Sequence, residues 1–333
     1  MHDTLAAGRA VNRQGLRGLA RWGRQLVECR KEGARGVDPF AIVCDSIHDL
    51  PPDIAEKLRL TVVPLTINFG TNSSLDDRVM TLEDFADLLD QYEKGKGYPT
   101  TAAPAPSRFA EAFTSHVKQG LSRILTITLS RKVSKTYDSA VEGAQMVGEE
   151  YPDSEIEVVD SLSGSMGEGM LVLEAARARD LGHPLQEAKR LVEEMRGRLR
   201  ILAALETTKY LMKSGRARHF QYLLSNALQI RPIITGRDGA LALCSRVRGR
   251  MERAVDRMVD EVQQTYRSGI VSVVEGIAPD LREMIVHKLC QRLGINREQI
   301  LETRIGSALL VHMGRRVVGV VWEQESEPEP QPS

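Results

Sequence analysis

No two of the four cysteines, Cys29, Cys44, Cys244 and Cys290, stand close enough to form a CxxC hook. That excludes the common zinc spacings and a thioredoxin-like redox pair, and it favours reduced thiols in a cytoplasmic protein. No metal is expected. Charge of one sign is also missing, because 45 basic residues face 45 acidic ones. A global electrostatic grip on nucleic acid is therefore excluded, which leaves room only for a local basic patch. There is no apolar run long enough to span a bilayer, no signal-peptide core near the N-terminus and no internal repeat. The stretch GSMGEG at 164–169 is glycine-rich but lacks a P-loop lysine and is not G-x-S-x-G. Neither nucleotide binding nor a hydrolase nucleophile follows from it.

What is present is an ordinary soluble composition, 42% hydrophobic and 27% charged, in a chain of 333 residues long enough for two cores. Residues 1–37 stand apart, with eight Lys or Arg against three acids. Leu16, Leu19, Trp22, Leu26 and Cys29 recur there at helical spacing, which predicts a basic amphipathic extension. It would pack on the body or on a second copy. Transient membrane contact is the sharper reading, weakened by Gly15, Gly18 and Gly23. The tail 324–333, acidic and proline-rich, reads as disordered.

From 38 to 165 apolar strands alternate with helical stretches: FAIVC, LTVVPLTINFG, RILTITLS and EIEVVDS are separated by LPPDIAEKL, TLEDFADLLDQYEKG, SRFAEAFTSHVKQG and KTYDSAVEGAQMVGEEY. That order predicts a doubly wound, mostly parallel sheet whose site lies at the strand ends, where Asp45, Ser46, Ser130, Asp160 and Ser161 fall. The segment YPTTAAPAPSRF, with prolines at 99, 104 and 106, can be neither a continuing helix nor a central strand, so Thr100 and Thr101 are offered by a stiff, shaped loop. From 166 to 323 come helices over GEGMLVLEAARARDLG, PLQEAKRLVEEMRGRL and ALETTKYLMKSG. Strands around a GRDG turn, GIVSVVEG and two last strands follow. This predicts an α+β domain with a mixed sheet.

Read in order, VCDSIHDLP, VVPLTINF, PTTAAPAPSRF, LSRKVSKTYDSA, VVDSLSGSMGEG, TTKYLMKSGR and VHMG resemble the DegV family, which includes FakB-type fatty-acid-binding proteins, over about residues 39–322. The resemblance implies a long-chain fatty acid between the two domains, its carboxylate held by hydroxyls and a histidine. A separate kinase subunit of the dihydroxyacetone-kinase-like type would phosphorylate that carboxylate, with no cofactor on this chain. It assigns the carboxylate to Thr100 or Thr101, Ser130 and His312, gives Gly167 a close-packing role near the site, and makes Arg216 and Arg248 candidates for partner binding. A buried carboxylate needs several donors, hydroxyls can rotate to supply them, and the tail supplies affinity at roughly 0.8 kcal/mol per methylene.

Each residue has a plainer role beside this one. Thr100 and Thr101 could bond loop backbone, Ser130 could cap a helix, and Asp45, Ser46, Asp160 and Ser161 could cap the helices that follow them. The chain also departs from the family pattern. Ala102 and Ala103 follow the threonines, and Arg131 and Lys135 replace small residues. Arg315 and Arg316 stand after the HMG. Arg131 could then pair with the carboxylate in place of a hydroxyl, or the pocket could take a bulkier or more anionic head. Two rival functions remain: an acyl-transfer or hydrolase enzyme using the strand-end Asp-Ser pairs with His312, and a regulatory subunit of a dihydroxyacetone-kinase-like system joined through residues 1–37.

Overall fold

The computed structural model describes residues 40–70, 73–95, 97–216 and 230–324. The basic segment 1–37 and the tail past 324 lie outside them. Strand β1 (Ala41–Asp45) is buried along its whole length. Ala41 and Val43 join Phe109 and Phe113 on one face, while Ile42 and Cys44 join Met170 and Leu171 on the other. A strand covered on both faces has no polar alternation, as FAIVC reads. Helix α1 (Pro52–Lys57) carries its proline in the first turn, where a missing N–H is harmless.

LTVVPLTINFG gives two strands where one was expected. β2 (Leu60–Val63) pairs parallel with β1, and β3 (Thr66–Phe69) leaves for another sheet. Pro64, between them, has no N–H for a ladder. β3 is the centre of a small antiparallel sheet with β4 (Ser73–Asp76), then helix α2 (Leu82–Lys94) intervenes before β5 (Thr100–Ala102) on the other edge. The threonine segment is thus an edge strand that ends before Pro104. This is the only kind of strand its prolines permit.

α3 (Pro106–Lys118), β6 (Arg123–Thr128), α4 (Thr136–Glu150) and β7 (Glu155–Asp160) complete a parallel sheet of order β2-β1-β6-β7. α3 and α4 cover one face. α5 (Met166–Asp180) and α6 (Leu185–Arg198) cover the other. α5 is buried on nearly every side because it touches β1 and β6 and also the second sheet.

The second sheet corrects one expectation. ALETTKYLMKSG is not one helix: β8 (Leu199–Leu205) takes its start, and α7 is only Lys209–Ser214. Alanine and leucine favour helix, but β8 lies in the middle of a sheet, where packing on both sides decides. Its neighbours are β9 (Ile230–Arg237), which turns into β10 (Ala240–Arg248), and the last strand. Asp238 (φ 50°) and Gly239 (φ 82°) supply the two positive φ angles that a tight hairpin requires. α8 (Met251–Thr265), β11 (Tyr266–Glu275), α9 (Pro279–Leu293), β12 (Ile300–Arg304), α10 (Ser307–Met313) and β13 (Val317–Gln324) follow. The order is β10-β9-β8-β13-β11-β12, antiparallel except for β11–β12, so the sheet is mixed as expected. Leu202, Ala204, Val273 and Val320 face α8 and α9. The alternate residues Ile201, Ala203, Ile234 and Val317 face the first domain.

Candidate functional site

Between the ends of the parallel strands and this inner face lies a cavity of about 150 Å³. The first domain contributes Ile47, Leu65, Leu129 and Val133 to its wall, and the second contributes Ile201, Ala203, Ile234 and Val274. Its polar groups include Thr101, Ser134, Arg216 and His312. Alternation along β5 explains Thr101: with partners Asn68, Ile67 and Thr66 in register, Thr101 turns inward while Thr100 and Ala102 turn to solvent. Helix α10 brings His312, and the Tyr98 hydroxyl donates to the Val311 carbonyl, tying β5 to that helix.

Thr101 Oγ1 and His312 Nε2 share a hydrogen bond of 2.7 Å, and Nδ1 has no partner. Burial, with a smaller push from the Arg216 charge, lowers the imidazole to about 3, so the ring is neutral at physiological pH. A neutral ring and one hydroxyl hold two protons, and their mutual bond uses one. Either tautomer leaves the other proton for a ligand. Arg216 is half-buried, and burial lowers its pKa too. Its guanidinium donates to the Ser214 carbonyl at 2.7 Å. Among the described residues no carboxylate pairs with it.

Behind the cavity lies a group of buried acids. Burial pushes Asp45 up to about 7, Asp49 to about 8 and Asp77 to about 6; burial, with a smaller push from Asp45, Asp49 and Asp160, also raises Glu168 well above the usual carboxylate range. Burial thus favours the uncharged form of each of these carboxyls. Asp45 accepts from the Ile47 and Leu129 N–H groups at 2.9 and 2.7 Å. The Ser46 hydroxyl donates to Asp77 at 2.7 Å. Asp160 accepts from Leu162 N–H at 2.9 Å, and the Ser161 hydroxyl donates to the Ser163 carbonyl at 3.0 Å. These four therefore tie down the strand ends. Gly167 sits so close to Ser163 that an added Cβ would lie 2.0 Å from its hydroxyl oxygen.

The remaining candidates separate. Ser130 is buried, and its hydroxyl donates to the Gly239 carbonyl at 2.7 Å, tying the β9–β10 turn to the first domain. Arg131 points outward, paired with Asp138 at 3.1 Å and lying over the Tyr137 ring. Lys135 pairs with Asp138, Arg315 with Asp87 and Asp90, and Arg316 with Glu206 and Asp280. The extra cations thus balance surface acids and do not enter the cavity. Arg248 is exposed on the edge strand β10, away from the cavity, whereas Arg216, expected at a partner surface, lines it. Ser134 was missed; the signal was the serine of VSKTY, one turn after the strand end. Among the described residues no cluster of His, Cys, Asp or Glu could hold a metal ion, and no helix is long and apolar enough to cross a membrane.

Comparison with known proteins agrees with this architecture. The model for uncharacterised proteins of the DegV family matches residues 39–325. A DegV domain-containing protein of Caldanaerobacter subterraneus subsp. tengcongensis is 32% identical over 87% of this chain and 100% of its own length. Among solved structures, a stearic-acid-binding protein from Eubacterium ventriosum superposes with TM-score 0.77 at 24% identity, covering 86% of this chain and 98% of its own. A fatty-acid-binding DegV family protein from Thermus thermophilus gives 0.76 at 24%, covering 86% and 100%. At such identity the likeness is one of fold.

Proposed function

The chain belongs to the DegV family, and from that premise we propose that it binds one long-chain fatty acid between its domains and presents the carboxylate to a separate kinase subunit. The observation that carries the reading is an apolar cavity on whose wall Thr101, His312 and Arg216, each with hydrogen-bonding capacity left over, are gathered together. Apolar walls suit a methylene chain, worth roughly 0.8 kcal/mol for each group buried. A neutral histidine with one proton to give and a cation that no carboxylate among the described residues pairs suit one anionic head. That solved relatives of the same fold bind stearic acid and other fatty acids supports the same choice.

Thr101 and His312 keep some exposure, so a carboxylate held there would lie at the rim, within reach of a second protein. This favours delivery of the head for acyl phosphate formation by a dihydroxyacetone-kinase-like partner. Acyl transfer by this chain alone is less favoured, because the Ser46 and Ser161 hydroxyls are engaged by Asp77 and a carbonyl, not by an imidazole. The test is to load the protein with radiolabelled fatty acid, add ATP and the kinase subunit, and trap product with hydroxylamine. Hydroxamate formed only when both proteins are present supports the proposal. Hydroxamate formed without the kinase, or no fatty acid retained at all, contradicts it.

A further inference from the structure

The cavity does not end in solid packing. Beyond it lies a second chamber of about 170 Å³, lined by Ser161, Arg196, Arg200 and Asp238 among others, and so far more polar than the first. The two share five wall residues: Leu162, Ser163, Ile201, Gly236 and Gly239. Two of these are glycines, so the large side chains of the partition are Leu162 and Ile201. A Cβ added at Gly236 would lie 3.5 Å from Ile201 Cγ2, and one added at Gly239 would lie 3.1 Å from Leu162 Cδ2. The leucine thus already closes against the hairpin turn that Ser130 ties down.

Leu162 is also unusual in itself. It sits at φ 52°, a left-handed conformation that a non-glycine residue adopts at an energetic disadvantage, and it is 36% exposed although large and apolar. Strand β8 sets its place relative to the polar head groups. Ile201, near the start of β8, shares the partition with Leu162, while the far end of β8 leads into α7 and Arg216, and α7 contacts the helix carrying His312. The head groups and Leu162 therefore lie toward opposite ends of β8.

Resting on the fatty-acid reading above, we propose that Leu162 is the stop that sets acyl-chain length, closing the apolar cavity against the polar chamber behind it. A chain up to the stop gains about fourfold in affinity per methylene. A longer chain must displace Leu162 into solvent and enter a chamber walled by arginine and aspartate, so the gain ceases.

The test measures affinity against chain length for a series of saturated fatty acids, together with native mass spectra of protein equilibrated with the mixture. Leu162→Gly removes the stop and also relieves the left-handed backbone, so it is expected to fold. Leu162→Phe enlarges the stop. In the wild type, affinity should rise and then level off at a limiting length. In Leu162→Gly the rise of about fourfold per methylene should continue past that length, and in Leu162→Phe the limit should move to shorter chains. A wild type that binds the series while both variants keep its limiting length overturns the role of Leu162 and leaves the fatty-acid reading standing. A wild type that binds no member of the series overturns the reading itself.

Discussion

Replacing Arg216 with Met should weaken binding of a fatty acid without weakening binding of its methyl ester. The guanidinium has five N–H donors, and among the described residues it donates one hydrogen bond, to the Ser214 carbonyl. A carboxylate at Thr101 and His312 would add a charge-assisted bond in a half-buried setting, worth about 1.5–3 kcal/mol. That corresponds to about 10- to 150-fold in dissociation constant. Met keeps much of the stem's apolar volume, so the chain should bind as before, and the ester, having no charge, should not distinguish the two proteins. Displacement of a fluorescent fatty acid, run with acid and ester on wild type and Arg216→Met, closes a thermodynamic cycle that cancels general damage to the fold. Equal losses for acid and ester, or no loss for the acid, would refute the assignment of Arg216 to the head.

Thr101→Val, nearly the same shape, strands the His312 nitrogen it now satisfies at 2.7 Å; apo stability should drop by about 1–3 kcal/mol in urea melts, and affinity for the acid should fall with it. Ser130→Ala should cost about 1 kcal/mol and speed hydrogen exchange in the hairpin around Gly239, with no change in fatty-acid affinity measured by the same displacement assay. Arg131→Met should leave lipid retention by mass spectrometry unchanged, since the guanidinium pairs with Asp138 at the surface. Asp49, raised by burial from 3.8 to about 8, holds a proton across that window that the unfolded chain has lost. Its contribution to stability therefore falls as pH rises through the window, and Asp49→Asn should flatten that part of the melting-temperature profile.

The parallel sheet was legible because its strands are buried on both faces, so runs such as FAIVC stand out unbroken between amphipathic helices. The second sheet was harder. Ala203, Ala204 and Leu205 have the composition of a helix, and only their neighbours Ile233, Ile234, Val317 and Val318 make them a strand. At the site, motif order pointed to the threonine pair and His312. The choice between Thr100 and Thr101 needed the register of β5 on β3. Sequence cannot say where a long side chain points. Arg131, beside a strand end, turns out to Asp138, while Arg216, far along the chain in KSGR, turns in. Leu162 carried no signal at all, since its position depends on a backbone angle and on a hairpin from the other domain.

The central claim is most directly tested by a crystal structure of the protein loaded with a fatty acid bearing bromine at its far end, the bromine located by anomalous scattering. The account predicts the carboxylate within hydrogen-bonding distance of Thr101 or His312 and of Arg216, and the bromine against Leu162. A carboxylate outside that cluster, a reversed chain, or a cavity that stays empty at saturating ligand would contradict it.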